Sequence, residues 1–175
     1  MKFRKAVEAD LPAIARIYED IHTEEEANRI SVGWIRGVYP TIHTARAALE
    51  RDDLFVGEDK GKLIGAAVIN QLQVDVYEGA PWQYPADAEQ VMVLHTLVIS
   101  PSLARSGYGK QFVTFYEEYA RANGCPFLRM DTNARNTRAR ALYAGMGYSE
   151  IDVVPCVFNG IDGVRLVLLE KRIPL

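Results

Sequence analysis

Apolar positions follow two rhythms along the chain. Leu11, Ile14, Ile17, Tyr18 and Ile21 recur at helical spacing, behind Asp10 as a cap and with Pro12 in the first turn. Phe112, Tyr116, Tyr119 and Ala120 share a helix face between Gly107 and a stop at Gly124, and Asn136 caps a helix over 137–146 that ends at Gly147. A shorter helix is predicted over 45–49. Denser apolar runs predict strands over 3–7, 91–100, 127–132, 151–158 and 164–171, with 54–58 and 63–74 joined as a hairpin through Asp59-Lys60-Gly61-Lys62. Strand, helix, helix, three strands, helix, strand, helix and two strands give an α/β (α+β) fold, a mixed sheet with helices on its faces. Two segments keep neither rhythm. Residues 28–44 hold Gly33, Trp34, Gly37, Tyr39 and Pro40 and read as an irregular aromatic connection; residues 75–90, with Gly79, Pro81 and Pro85, read as a surface insertion.

Composition narrows the classes of function. At 175 residues the chain fits one domain over 1–175, and 49% apolar content suits a globular core. Twenty Lys and Arg against 23 Asp and Glu give a net charge of −3, so no positive field exists for nucleic acid or an anionic membrane. Cys125 and Cys156 lack metal-ligand spacing and read as reduced thiols, so neither a metal nor a disulfide framework is expected. The first ten residues lack the apolar segment of a signal peptide, and the apolar run at 91–99 is too short to cross a bilayer, which points to a cytoplasmic protein.

Candidate chemistry gathers where a strand turns through glycines directly into a helix: Leu97, Val98, Ile99, Ser100, Pro101, then Arg105, Ser106, Gly107, Tyr108, Gly109 and Lys110. The first N–H groups of such a helix have no intrahelical partner and sit at the positive end of its dipole, while Gly107 and Gly109 let an anion approach the main chain. A diphosphate is the expected ligand. Gln111 after Lys110 departs from a Walker loop, and Phe112 stands where a dinucleotide fingerprint needs glycine.

The spacing Leu97-x-Ile99-x-Pro101 followed by Gly107-x-Gly109 resembles the pyrophosphate motif of the GNAT superfamily of acyl-CoA-dependent N-acetyltransferases. A second segment is similar to the family's later signature: Asn136-x-x-Ala139-x-x-Leu142-Tyr143, closed by Gly147-Tyr148. Ala104 departs from the family, which usually has Gln or Arg there. The resemblance implies a mostly antiparallel sheet with splayed central strands and acetyl-CoA as co-substrate, held by Leu97 to Ile99, Arg105 to Lys110, Asn136 and Tyr143. It further implies that the Tyr143 hydroxyl protonates the departing thiolate and that a main-chain N–H nearest Val98 holds the oxyanion. Transfer is then direct, without a covalent enzyme intermediate.

An amine attacks only when neutral, so a base or a water path is needed. His95 sits two residues before Leu97 on one strand and is expected on the same face; the arylalkylamine type of GNAT enzyme has its base at the matching position. Glu89 and a water are the alternatives. His22 and His43 are expected in solvent, and Tyr148 in the core. Trp34, Tyr39, Trp82 and Asp131 are the expected acceptor contacts, for a small amine or an amino-acid-like molecule. Asp75, Glu78, Asp87 and Asp131 favour a cation, whereas Arg36 and Arg129 favour a carboxylate-bearing acceptor. A protein or peptide acceptor, a non-catalytic acyl-CoA sensor and assembly as a homodimer are the other readings.

Overall fold

A computed structural model describes residues 1–175. Its elements run β1 (Lys2–Lys5), α1 (Leu11–Glu26), α2 (Ile42–Glu50), β2 (Leu54–Asp59), β3 (Lys62–Asn70), β4 (Val91–Ile99), α3 (Tyr108–Ala122), β5 (Phe127–Asn133), α4 (Thr137–Gly145), β6 (Ser149–Phe158) and β7 (Ile161–Arg172). This is the order the hydrophobic pattern predicts, with ends moved by a few residues. Lys60 and Gly61 both take left-handed φ, 49° and 76°, as a two-residue hairpin requires, and they join β2 to β3 at the Asp59↔Lys62 pair.

One seven-stranded sheet has the order β1-β2-β3-β4-β5-β7-β6, and every neighbouring pair is antiparallel except β4 with β5. Alternation along the strands sends two sets of side chains to opposite faces. Phe55, Ala67, Met92, Leu94, Leu128, Met130, Val167 and Leu169 meet Phe112, Val113 and Tyr116 of α3 and Tyr143 of α4 on one face. On the other face, α1 and α2 cover Val56, Ala66, Val68 and Val98 through Leu11, Ile14, Ile17, Tyr18, Ala45 and Ala48. Farther along that face, Tyr77 closes over Val91, Val93, Leu166 and Leu168. Segment 75–90 is thus no surface insertion. Its aromatic residues find a sheet face that no helix covers, and Tyr77 is only 2% exposed.

His22 also differs from expectation. It lies on the inner face of α1, 1% exposed, with Nε2 3.0 Å from the Pro40 carbonyl, while His43 is exposed on α2. The connection between α1 and α2 is held in place by several such contacts. Glu25 accepts from the N–H groups of Val32 (2.7 Å) and Gly33 (3.1 Å), and Arg36 pairs with Glu19 and Glu26 on the exposed side of α1.

The parallel pairing of β4 with β5 extends only from Val91↔Phe127 to Leu94↔Met130. Below the divergence the Tyr116 hydroxyl reaches the Met92 carbonyl at 2.7 Å and the Arg129 carbonyl at 3.2 Å, so this buried group is satisfied where the two strands still run together. Beyond it Thr96 takes φ 49°, an unusual value for a β-branched residue, and the register with β3 shifts between Ala66 and Val68. The Thr96 hydroxyl is hydrogen-bonded to that of Tyr39. One extra residue reverses the alternation: Met92 and Leu94 point toward α3 before the bulge, Leu97 and Ile99 after it.

Candidate active site

A cleft of about 980 Å³ opens where β4 and β5 part. Its walls bring together Leu97, Val98, Ile99, Arg105, Ser106, Gly107, Tyr108, Gly109, Lys110, Asn136 and Tyr143, together with Trp34, Tyr39 and Asp131. Of the expected site residues only His95 and Trp82 are missing from it.

At one end Arg105 and Gly107 adopt left-handed φ of 67° and 78°, turning the chain into α3. The main-chain N–H groups of Arg105 and of Gly107 to Lys110 have no backbone partner, and a Cβ on Gly107 would meet no protein atom within 4 Å. Arg105, Lys110 and Arg138 line the same end without forming an intramolecular ion pair. Free donors, an uncrowded glycine and unpaired cations fit a diphosphate. Asn136 also lines the cleft, and its side chain caps α4 by accepting from the Ala139 N–H at 3.1 Å, which leaves its own amide hydrogens without a partner in the protein. Two turns later the Tyr143 ring is buried at the junction with β4. Burial, and then the nearby Asp131 charge, hold its phenol well above the ordinary 10, so it keeps its proton.

Asp131 leaves β5 on the face away from α3. Burial pushes its carboxyl up from 3.8 to about 6, against the pull of the Tyr77 hydroxyl, which donates to Oδ2 at 2.7 Å. Near neutral pH the group is an anion that takes up a proton readily. Tyr39 stands beside it; burial raises its phenol to about 12.

His95 departs from expectation because the bulge at Thr96 places it on the face opposite Leu97. Its Nε2 lies 3.0 Å from Asn70 Oδ1, and burial pushes its pKa from 6.5 down to about 4. Such a ring is neutral at pH 7 but a weak base, and it lies outside the cleft. Glu89 is exposed and also lies outside it. Trp82 instead covers the Arg129 guanidinium, whose central carbon is 4.1 Å from the ring centroid, and Arg129 faces Glu170 at 3.4 Å; both charged groups are buried. Arg36 is engaged on α1, so neither arginine is free for an acceptor carboxylate. Asp75, Glu78 and Asp87 lie away from the cleft. Thr96, Arg138 and Arg135 line it without having been singled out in the sequence; an arginine on either side of Asn136 was the available signal.

Cys125 and Cys156 are unpaired, and burial raises both thiols, which suits packing better than nucleophilic work. No group of three or more His, Cys, Asp or Glu is placed to hold a metal ion, and no helix is long and apolar enough to cross a membrane.

A splayed strand pair with a glycine turn at one end and a buried phenol beside the cleft is the arrangement that the resemblance to acyl-CoA-dependent acyltransferases implies. The acetyltransferase (GNAT) family model matches residues 12–148, and the chain belongs to that family, whose acyl donor is acetyl-CoA. It is 24% identical over 153 residues to the uncharacterized N-acetyltransferase YhfO of Bacillus subtilis (strain 168), covering 86% of this chain and 91% of that protein. Among solved structures it superposes on a GNAT-family acetyltransferase from Streptococcus agalactiae 2603 with a TM-score of 0.82 at 20% identity, over 99% and 96% of the two chains. The acetyltransferase yncA of Salmonella typhimurium, solved with its cofactor acetyl-CoA, superposes with a TM-score of 0.69 at 16% identity, over 98% and 93%. At these identities the superpositions establish the shared fold.

Proposed function

We propose that this acyltransferase moves the acetyl group of acetyl-CoA directly to the primary amine of a small or amino-acid-like acceptor, with Asp131 as the base. The observation that carries the reading is the Asp131 carboxylate among Tyr39, Tyr77 and Tyr143, at the point where β4 and β5 part. Bound acetyl-CoA supplies an activated thioester. The chain's own residues do the rest. The amides of Arg105 and Gly107 to Lys110, with Arg105, Lys110 and Arg138, hold the diphosphate; the Asn136 amide holds the pantetheine arm; Leu97 to Ile99 flank it. Asp131 removes a proton from the acceptor ammonium, so that the nitrogen lone pair can form the new amide bond. Tyr143 gives its proton to the thiolate as the carbon–sulfur bond breaks, and its elevated pKa keeps that proton available. Proximity of two bound substrates supplies much of the rate.

Trp34 and Tyr39 enclose the acceptor side and suit a compact amine. A groove of about 730 Å³ continues past Gly33, Trp34, Asn133 and Arg135, and that continuation favours a second reading in which a peptide trails from the acceptor nitrogen. Two unpaired thiols suit a reducing compartment, and we place the reaction in the cytoplasm. Free-CoA release, followed across small amines, amino acids and short peptides, tests the proposal: release with small acceptors supports it, and release confined to peptides selects the second reading.

A further inference from the structure

We propose that Tyr77 is a positioning residue for acetyl transfer: its phenol holds one oxygen of Asp131, turns the other toward the acceptor nitrogen and stabilises the carboxylate form. The inference rests on the reading of Asp131 as the base and adds a residue that does not line the cleft.

The geometry is that of a tethered support. Tyr77 lies in the 71–90 segment, with its ring against Val91, Val93, Leu166 and Leu168, so the sheet fixes its orientation. Trp82 packs edge-on to that ring with centroids 5.2 Å apart, and its indole N–H donates to the Tyr77 carbonyl at 3.0 Å. Trp82 is anchored in turn over Arg129, which donates to the Tyr84 carbonyl at 3.1 Å and faces Glu170, while Glu170 accepts from the Gln83 N–H at 2.9 Å. A buried phenol pinned at so many points donates along one direction. A neutral donor to a carboxylate favours the charged form, opposing the burial that disfavours it.

The groups facing Asp131 are few. Tyr77 comes from the 71–90 segment, Tyr39 from the α1–α2 connection, Tyr143 from α4 and Cys156 from β6; burial raises all four. Arg129, two residues back on β5, lies near Tyr77 and is held against Glu170. Between pH 5 and pH 8 Asp131 is therefore the group in this part of the cleft that changes charge.

The test is kcat/KM against pH at saturating acetyl-CoA, with one acceptor amine, for wild type, Tyr77→Phe and Asp131→Asn. Tyr77→Phe keeps the ring and its packing. Its acid limb is expected to move up by about one pH unit, so that kcat/KM falls about tenfold further at pH 5 than at pH 8. An unmoved limb, with Asp131→Asn strongly impaired, overturns the role of Tyr77 and leaves the base reading standing. An Asp131→Asn enzyme with a wild-type profile overturns the base reading itself. Wild-type protein supplies a measurement that needs no variant. The Tyr77 hydroxyl proton resonance should shift upfield on acidification, with the midpoint of the acid limb, as its acceptor loses charge; a resonance indifferent to that midpoint contradicts the proposal.

Discussion

Asp131→Asn should make the protein more stable while removing the proposed base, and the size of the gain follows from the carboxyl's environment. Burial raises the folded-state pKa from 3.8 to about 6, so below about pH 3 the native and unfolded chains both carry the protonated acid. As pH rises through that window the unfolded chain ionises first. The native state thus binds more protons than the unfolded state between about pH 4 and pH 6, and stability falls with rising pH until the native carboxyl has also ionised. Complete expression of the shift corresponds to about 3 kcal/mol at neutral pH, and partial access of water from the cleft trims this to about 1–3 kcal/mol. Asparagine keeps an acceptor for the Tyr77 hydroxyl but never ionises. Urea unfolding of both proteins from about pH 3 to pH 8 checks the argument: midpoints should coincide near pH 3 and separate to about 1 M in favour of the variant by pH 8. Taking the difference cancels groups common to both chains, including Glu170, whose carboxyl burial also raises. Parallel curves, or a variant weaker at pH 8, would refute the placement of a desolvated carboxylate in the cleft.

Other consequences are as definite. Tyr143→Phe should lower kcat by about 10²–10⁴ with little change in acetyl-CoA affinity if, as proposed, the hydroxyl acts on the departing thiolate; stopped-flow turnover and calorimetry separate the two. Gly107→Val should weaken acetyl-CoA binding at least about tenfold, because a side chain would occupy the open space proposed for the phosphates and φ of 78° suits glycine; calorimetric affinity equal to wild type would sink the assignment. His95→Ala should leave the acid limb near pH 6 in place and instead cost about 1 kcal/mol of stability, as Asn70 Oδ1 loses the ring and keeps only the Leu72 N–H; a shifted limb would return the base to His95.

Much of the fold was legible because its signals are local. Helical spacing in α1 and α3, the Lys60-Gly61 turn and the Asn136 cap each depend on residues close together in sequence, and each appears as expected. The glycine turn and Asn136 to Tyr143 were legible for the same reason. What escaped depends on distant partners. Thr96 adopts a conformation its side chain disfavours, with Tyr39 bonded to its hydroxyl and β5 departing at that point, and the resulting reversal defeats any alternation argument from Leu97 back to His95. Glycine and prolines made residues 75–90 look superficial, yet the bare sheet face over β4, β5 and β7 draws Tyr77 inward. Arg129 looked like an acceptor contact because Glu170, its partner across the β5–β7 pair, is remote in sequence. Asp131 was legible as a cleft residue, but the role proposed for it as base depends on burial, which no spacing reveals.

The most direct test of the account is release of free CoA by the purified protein from acetyl-CoA, measured at pH 8 with a panel of small primary amines, amino acids and short peptides, beside Asp131→Asn. Acceptor-dependent release with small amines or amino acids, largely lost in the variant, is the predicted result. Release that persists undiminished in Asp131→Asn, or that requires a peptide acceptor, would contradict it.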